Sequence, residues 1–199
     1  MDVASSSSKL KDILVVIRYP NNFTANLDSP SINGIQLRDG KDLWLRNWTE
    51  PISSIHCSLI DVNNDGLDDC LLLSGPSQKL HALDSATGLP IWRFNCSDCI
   101  NMIGIQSVPD VDGDSTSDLA AVATSFRSKI LLIISGQQGK LLWQGSVLSN
   151  CTYVHVTDPL RPTTPLIDTR CSQNASGFNI LIDQLSNRIW IRRDVIFTN

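Results

Sequence analysis

The chain has 199 residues, of which 42% are hydrophobic and 18% charged. That is enough apolar content to fill a core and too balanced a composition for a disordered chain. Sixteen Lys and Arg against twenty Asp and Glu give a net charge of −4, and no basic run interleaves with aromatics, which speaks against a nucleic-acid binder.

Residues 1–9, with four consecutive serines, predict a disordered start without the apolar stretch of a secretory signal. The longest apolar runs, residues 13–17 and 130–134, are far short of the ~20 residues of a membrane-spanning helix. From residue 10 onward the chain reads as short strands punctuated by turns, with no 3.6-residue periodicity.

A repeat organises those strands. Trp44, Trp92, Trp143 and Trp190 recur at spacings of 48, 51 and 47 residues. Each closes a similar phrase: Leu37-Arg38-Asp39-Gly40 before Trp44, Leu83-Asp84-Ser85-Ala86-Thr87-Gly88 before Trp92, Ile134-Ser135-Gly136-Gln137-Gln138-Gly139 before Trp143, and a degenerate copy before Trp190. An apolar run, a glycine turn and a run containing Trp predict a hairpin. Two further apolar runs flank an Asp-rich loop ahead of it: 54–60 and 69–74 in one copy, 102–108 and 118–124 in the next.

Four antiparallel strands per ~40–50 residues is the blade of a β-propeller. The predicted fold is therefore all-β, with a propeller segment at 10–199 and about four blades at 10–48, 49–96, 97–146 and 147–193. Residues 11–17 align with 118–123, so the first blade starts at its second strand. Neither terminus supplies the missing strand, and a part of a larger propeller is expected. The repeated Trp is read as structural, filling the gap between neighbouring sheets.

The Asp-rich loops carry the chemistry. Asp61, Asn63, Asp65 and Asp69 occupy positions 1, 3, 5 and 9 of one loop, and Asp110, Asp112, Asp114 and Asp118 the same positions of the other. The position-7 carbonyls of Leu67 and Thr116 could add a further oxygen. Calcium takes six to eight such hard ligands, and carboxylates crowded without a cation repel one another. Two calcium sites are expected. An EF-hand is rejected, because it needs a glutamate at position 12, where Leu72 and Ala121 stand inside strand-like runs. The second loop has its glycine at position 4 instead of 6, a change expected to weaken it. The fourth unit, Asp158-Pro159-Leu160-Arg161-Pro162, has lost the ligands, with Arg161 able to replace the ion's charge, and the first unit keeps only Asp12 at position 9.

Five glycosylation sequons begin at Asn22, Asn47, Asn95, Asn150 and Asn174. Six cysteines read as a disulfide framework. Their spacing suggests Cys57 with Cys70, Cys96 with Cys99 and Cys151 with Cys171, one of fifteen possible pairings. Both features predict the extracellular side of a membrane, at the plasma membrane or within the secretory pathway, and imply a segment upstream of Met1.

Together the two phrases resemble known repeats. The Asp loop is similar to the FG-GAP repeat of integrin α-subunit propellers, and Leu83-Asp84-x-x-Thr87-Gly88-x-x-x-Trp92 to the blade motif of quinoprotein-like propellers. Having both in one blade resembles the animal integrin-alpha FG-GAP repeat-containing membrane proteins, the family with sequence similarity 234. That resemblance, over residues 10–193, implies a non-catalytic extracellular module of a membrane glycoprotein, a protein partner, and a membrane anchor outside this sequence. The alternatives are a quinoprotein-like enzyme using a pyrroloquinoline quinone beside calcium, and a glycan-binding propeller. Against the enzyme, the Asp groups recur at separate blades, no nucleophile elbow or zinc motif occurs, and His56, His81 and His155 are isolated in or beside strand-like runs.

Overall fold

The computed structural model describes residues 13–19, 29–97, 99–125, 129–147, 151–157, 166–171, 176–183 and 188–195, with side chains as far as Gly145, Ile103 excepted. The regular elements among these residues are all β-strands. The chain divides into two compact units, Met1–Asn95 and Cys96–Asn199.

The first unit holds two antiparallel sheets. One runs β1 (Ile13–Arg18), β2 (Ser31–Gln36), β3 (Asp42–Asn47). The other runs β4 (Ile52–Ile60), β5 (Asp69–Ser74), β6 (Lys79–Leu83), β7 (Pro90–Phe94). Each strand pairs with the next in sequence. The inner strand β5 is buried along its whole length, which is why it reads as a continuous apolar run and not as an alternation. Leu71 and Leu72 are fully buried, each contributing roughly 1.5–3 kcal/mol by apolar burial. The outer strand β7 is mostly exposed, with Ile91 and Arg93 facing solvent.

A hydrophobic cluster joins these two sheets: Ile32 and Trp44 from the first, and Ile52, Cys70, Leu72 and Leu83 from the second. Trp44 is its largest member. Its ring lies against Gly34 of its own sheet and against Gly88 in the β6–β7 turn, so that a Cβ at either glycine would collide with it. Gly88 also has φ +67°, a second reason for glycine there. The indole N–H donates to the Ser85 carbonyl at 3.0 Å. Arg46, two residues on, donates to the Thr87 carbonyl at 3.2 Å.

The second unit repeats the meander twice: β8 (Cys99–Val108), β9 (Asp118–Ser125), β10 (Lys129–Ile134), β11 (Leu141–Val147), then β12 (Cys151–Thr157), β13 (Leu166–Cys171), β14 (Ser176–Asp183), β15 (Arg188–Val195). Leu119 to Ala123 and Leu131 to Ile134 are buried, with small alanines on β9 opposite the bulky residues of β10 in register. Trp143 packs over Gly145. The side chain of Trp190 lies outside the described residues.

Candidate metal loops

The two Asp-rich segments are the connections between β4 and β5 and between β8 and β9. Four hydrogen bonds of each loop match position for position, and the second loop adds one from the Gly113 N–H to Asp110 at 2.6 Å. At position 1, Asp61 accepts from the Asp65 and Gly66 N–H groups at 3.2 and 2.8 Å; Asp110 accepts from Asp114 and Ser115 at 3.2 and 2.8 Å. At position 3, Asn63 and Asp112 accept from the N–H of position 5 at 3.0 and 3.3 Å. At position 5, Asp65 and Asp114 each accept from the N–H of position 7 at 2.8 Å. Short polar side chains bonding backbone two to five residues ahead are what curl the loop.

The backbone explains the displaced glycine. Both loops take positive φ at positions 4 and 6: Asn64 at 57° and Gly66 at 85° in the first, Gly113 at 82° and Ser115 at 72° in the second. Each loop therefore meets the same conformation with one glycine and one polar residue. The glycine shift expected to weaken the second loop leaves its path unchanged, and the cost falls on Ser115.

Position 9 differs in kind from the others. Asp69 and Asp118 are fully buried at the first residue of β5 and β9. Asp69 accepts from the Val62 N–H at 2.9 Å and the Ser85 N–H at 3.2 Å. Asp118 accepts from Val111 at 2.7 Å and Gly136 at 2.9 Å. Each carboxylate thus fastens the start of its loop to the turn of the following hairpin. Burial raises both carboxyls to about 6, against the pull of those N–H donors. Sequence reading took position 9 as a ligand and missed this second task. The turn residues Ser85 and Gly136 were legible only as parts of the hairpin phrase.

The loops differ in charge. One carboxylate oxygen from each of Asp110, Asp112 and Asp118 lies within 4.8 Å of the others, the one such group of three among the described residues. In the first loop position 3 is Asn63, whose amide donates to Asp65 at 3.2 Å. Asp114 stands outside the group of three and accepts from the Ser135 hydroxyl at 3.4 Å. Leu67 is half-buried and Thr116 buried. Three converged carboxylates, one of them buried, can hold a hard divalent cation. At position 12, Leu72 and Ala121 are buried in strands, with no oxygen ligand to offer.

A disulfide borders the first loop. Cys57 is bonded to Cys70 where the β4–β5 register shifts between His56 and Ile60, a bulge that places the bridge at the loop's rim. Cys96 is bonded to Cys99. Cys151 and Cys171 are register partners across β12 and β13; their side chains lie outside the described residues. Asn47 and Asn95 are exposed. Asn22, Asn150 and Asn174 lie outside the described residues, as do Asp12 and the segment around Asp158 and Arg161.

At the other end of the second sheet sits a polar cluster that the sequence did not announce. Glu50 accepts from the Ser74 hydroxyl at 3.3 Å and pairs with Lys79; Ser74 also bonds the buried His81 ring at 3.0 Å. Trp48 meets that ring edge-on at 4.9 Å. The hydrogen bond from Lys79 holds the Glu50 carboxyl below its usual range. Burial, then the Arg93 charge, lowers His81 to about 4. His56 is exposed.

Residues 3–157 match the model of the FAM234A/B beta-propeller. Protein FAM234B of Gallus gallus is 28% identical over 141 residues, 67% of this chain and 22% of that protein, so the chain spans about a fifth of that relative's length. Among solved structures, BamB from Moraxella catarrhalis is similar at TM-score 0.45 and 15% identity, covering 90% of this chain and 52% of BamB. BBS1N, in its complex with ARL6DN, is similar at TM-score 0.48 and 11% identity, covering 87% of this chain and 56% of BBS1N. No helix among the described residues is long and apolar enough to cross a membrane.

Proposed function

The chain belongs to the FAM234A/B β-propeller family, and from that premise we propose that it is a non-catalytic, extracellular binding module of a membrane glycoprotein, stiffened by calcium at its Asp loops. The observation that carries the calcium reading is the convergence of Asp110, Asp112 and Asp118 within 4.8 Å. A buried carboxyl raised to about 6 is an anion in want of a counter-charge, and a divalent cation would supply it. Asp61, Asn63, Asp65 and Asp69 would hold a second ion, with Leu67 and Thr116 offering the position-7 carbonyls. Fewer carboxylates make the first loop the weaker of the two.

The ion's role is to pin the connection between two strands, which holds the adjoining surface in one shape for a protein partner. Two disulfides and two exposed sequon asparagines support an oxidising, extracellular setting. The test is calorimetric titration of the cation-stripped chain with calcium. Two sites are expected in the range of extracellular modules, about 0.1–1 mM, the tighter one lost in Asp112→Ala. Absence of binding up to several millimolar would overturn the reading.

A further inference from the structure

Asn47 and Asn95 hold the same place in successive sheets. Each lies three residues past the repeated Trp, at or just after the end of the outer strand. Each is exposed, as are Thr49 and Ser97, the hydroxyl residues of their sequons. The two differ in the middle residue. Trp48 makes its ring contact with His81, thirty-three positions away, which forms only as the sheet folds. Cys96 is bonded to Cys99, three residues on. The Cys99 N–H also donates to the Cys96 carbonyl at 3.4 Å, so Ser97 sits in a turn closed both covalently and by a hydrogen bond.

N-glycan transfer joins the asparagine amide nitrogen to the anomeric carbon of a lipid-diphosphate-linked oligosaccharide. The carbon–oxygen bond to the diphosphate breaks, the lipid diphosphate leaves, and the amide nitrogen gives up one proton. The transferase needs the asparagine and the hydroxyl two residues on presented together by a pliant backbone. A ring closed through the middle residue denies it that. Closing so short a ring has little loop entropy to overcome. It proceeds by thiol exchange with a protein disulfide oxidant, in which two cysteine thiols lose two electrons and two protons and the oxidant becomes a dithiol. Ring closure therefore competes with glycan transfer on the unfolded chain.

We propose that Asn95 is an N-glycosylation site whose use is set by the Cys96–Cys99 disulfide. Chains that close the ring first stay bare at Asn95; chains glycosylated first carry the sugar and close the ring afterwards. Asn47, at the matching place with no cysteine in its sequon, is modified without this competition. The proposal rests on the extracellular reading above.

The experiment routes the full chain into the endoplasmic reticulum of cultured animal cells and measures occupancy at both asparagines by glycopeptide mass spectrometry. Wild type is expected to show lower occupancy at Asn95 than at Asn47. The Cys96→Ser/Cys99→Ser double variant, which preserves the sequon, should raise Asn95 by roughly twofold or more and leave Asn47 unchanged. Because that variant could misfold, wild-type cells briefly treated with dithiothreitol give the same reading with the native sequence. Equal occupancy at both sites in wild type, or an Asn95 unmoved by both interventions, overturns the proposal. Glycan missing from both asparagines overturns the proposal alone; the extracellular reading is tested apart from it, by whether both cysteine pairs are oxidised in the protein isolated from its native cells, so the two failures are told apart.

Discussion

The indole of Trp44 and the backbone of Ser85 meet across two sheets, the Trp44 N–H donating to the Ser85 carbonyl at 3.0 Å. The Ser85 N–H in turn donates to Asp69 at 3.2 Å, and Asp69 accepts from Val62 at 2.9 Å. A Trp of one repeat is thus linked, through a single turn residue, to the last carboxylate of the next repeat's Asp loop. All four residues are buried, so each bond lies where an unmade partner is expensive.

Trp44→Phe should lower unfolding stability by about 1–3 kcal/mol, by stranding the Ser85 carbonyl and losing ring area. Trp44→Ala should cost about 3–5 kcal/mol. Urea unfolding monitored by circular dichroism measures both. A Phe variant as stable as wild type would show that the Ser85 bond contributes nothing.

Asp65 and Asp69 should separate on mutation. Asp69→Ala leaves two buried N–H groups without an acceptor, so it should destabilise by about 2–4 kcal/mol even in chelator. Asp65 is exposed, and Asp65→Ala should change little in chelator while removing the calcium increment at the first loop. Thermal melts of the two variants with and without calcium make the comparison; equal losses in chelator would contradict it.

Ser115→Gly should stabilise the chain. Ser115 holds φ 72°, a conformation that costs a non-glycine residue about 1–2 kcal/mol, partly offset by glycine's greater freedom when unfolded. A net gain of about 0.5–1 kcal/mol in urea is the expected result. The same change at Asn64 should gain less, because asparagine tolerates that region.

The pH dependence has two opposed parts. Asp69 and Asp118 are raised to about 6; without calcium the fold keeps their protons while the unfolded chain has released them. Their contribution is therefore lost as pH rises from about 4 to about 6. His81, lowered to about 4, is neutral in the fold and protonated in the unfolded chain, so its contribution is lost as pH falls from about 6.5 to about 4. Calcium must displace the carboxyl protons, and its stabilisation should be larger at pH 7 than at pH 5. Melts at both values test this; a calcium increment independent of pH would count against Asp69 and Asp118 as ligands.

The all-β class was legible because Trp spacing, the Gly turn and the Asp loop each recur with one period, and a repeat amplifies a weak local signal. The loops were legible from their Asp and Asn spacing, and the EF-hand could be set aside because position 12 falls on Leu72 and Ala121, in strand-like runs. What stayed hidden involves partners far apart in the chain. Nothing local connects Trp44 with Ser85, or Glu50 with Ser74 and His81. The backbone at positions 4 and 6 was not legible from glycine alone, since Asn64 and Ser115 adopt positive φ without it. The fastening by Asp69 and Asp118 was obscured because ligand and structural carboxylates look alike in a motif. Their placement directly before the buried runs of β5 and β9 was the available clue.

A thermal melt of the glycosylated chain across a calcium titration, with excess chelator as reference, decides whether the Asp loops hold calcium. The melting temperature should climb with calcium, by the equivalent of about 2.7 kcal/mol per site at a hundredfold excess over the dissociation constant, and the rise should be abolished in Asp65→Ala/Asp112→Ala. A melt unmoved by calcium would mean that the loops are turns held by their own side-chain-to-backbone hydrogen bonds alone.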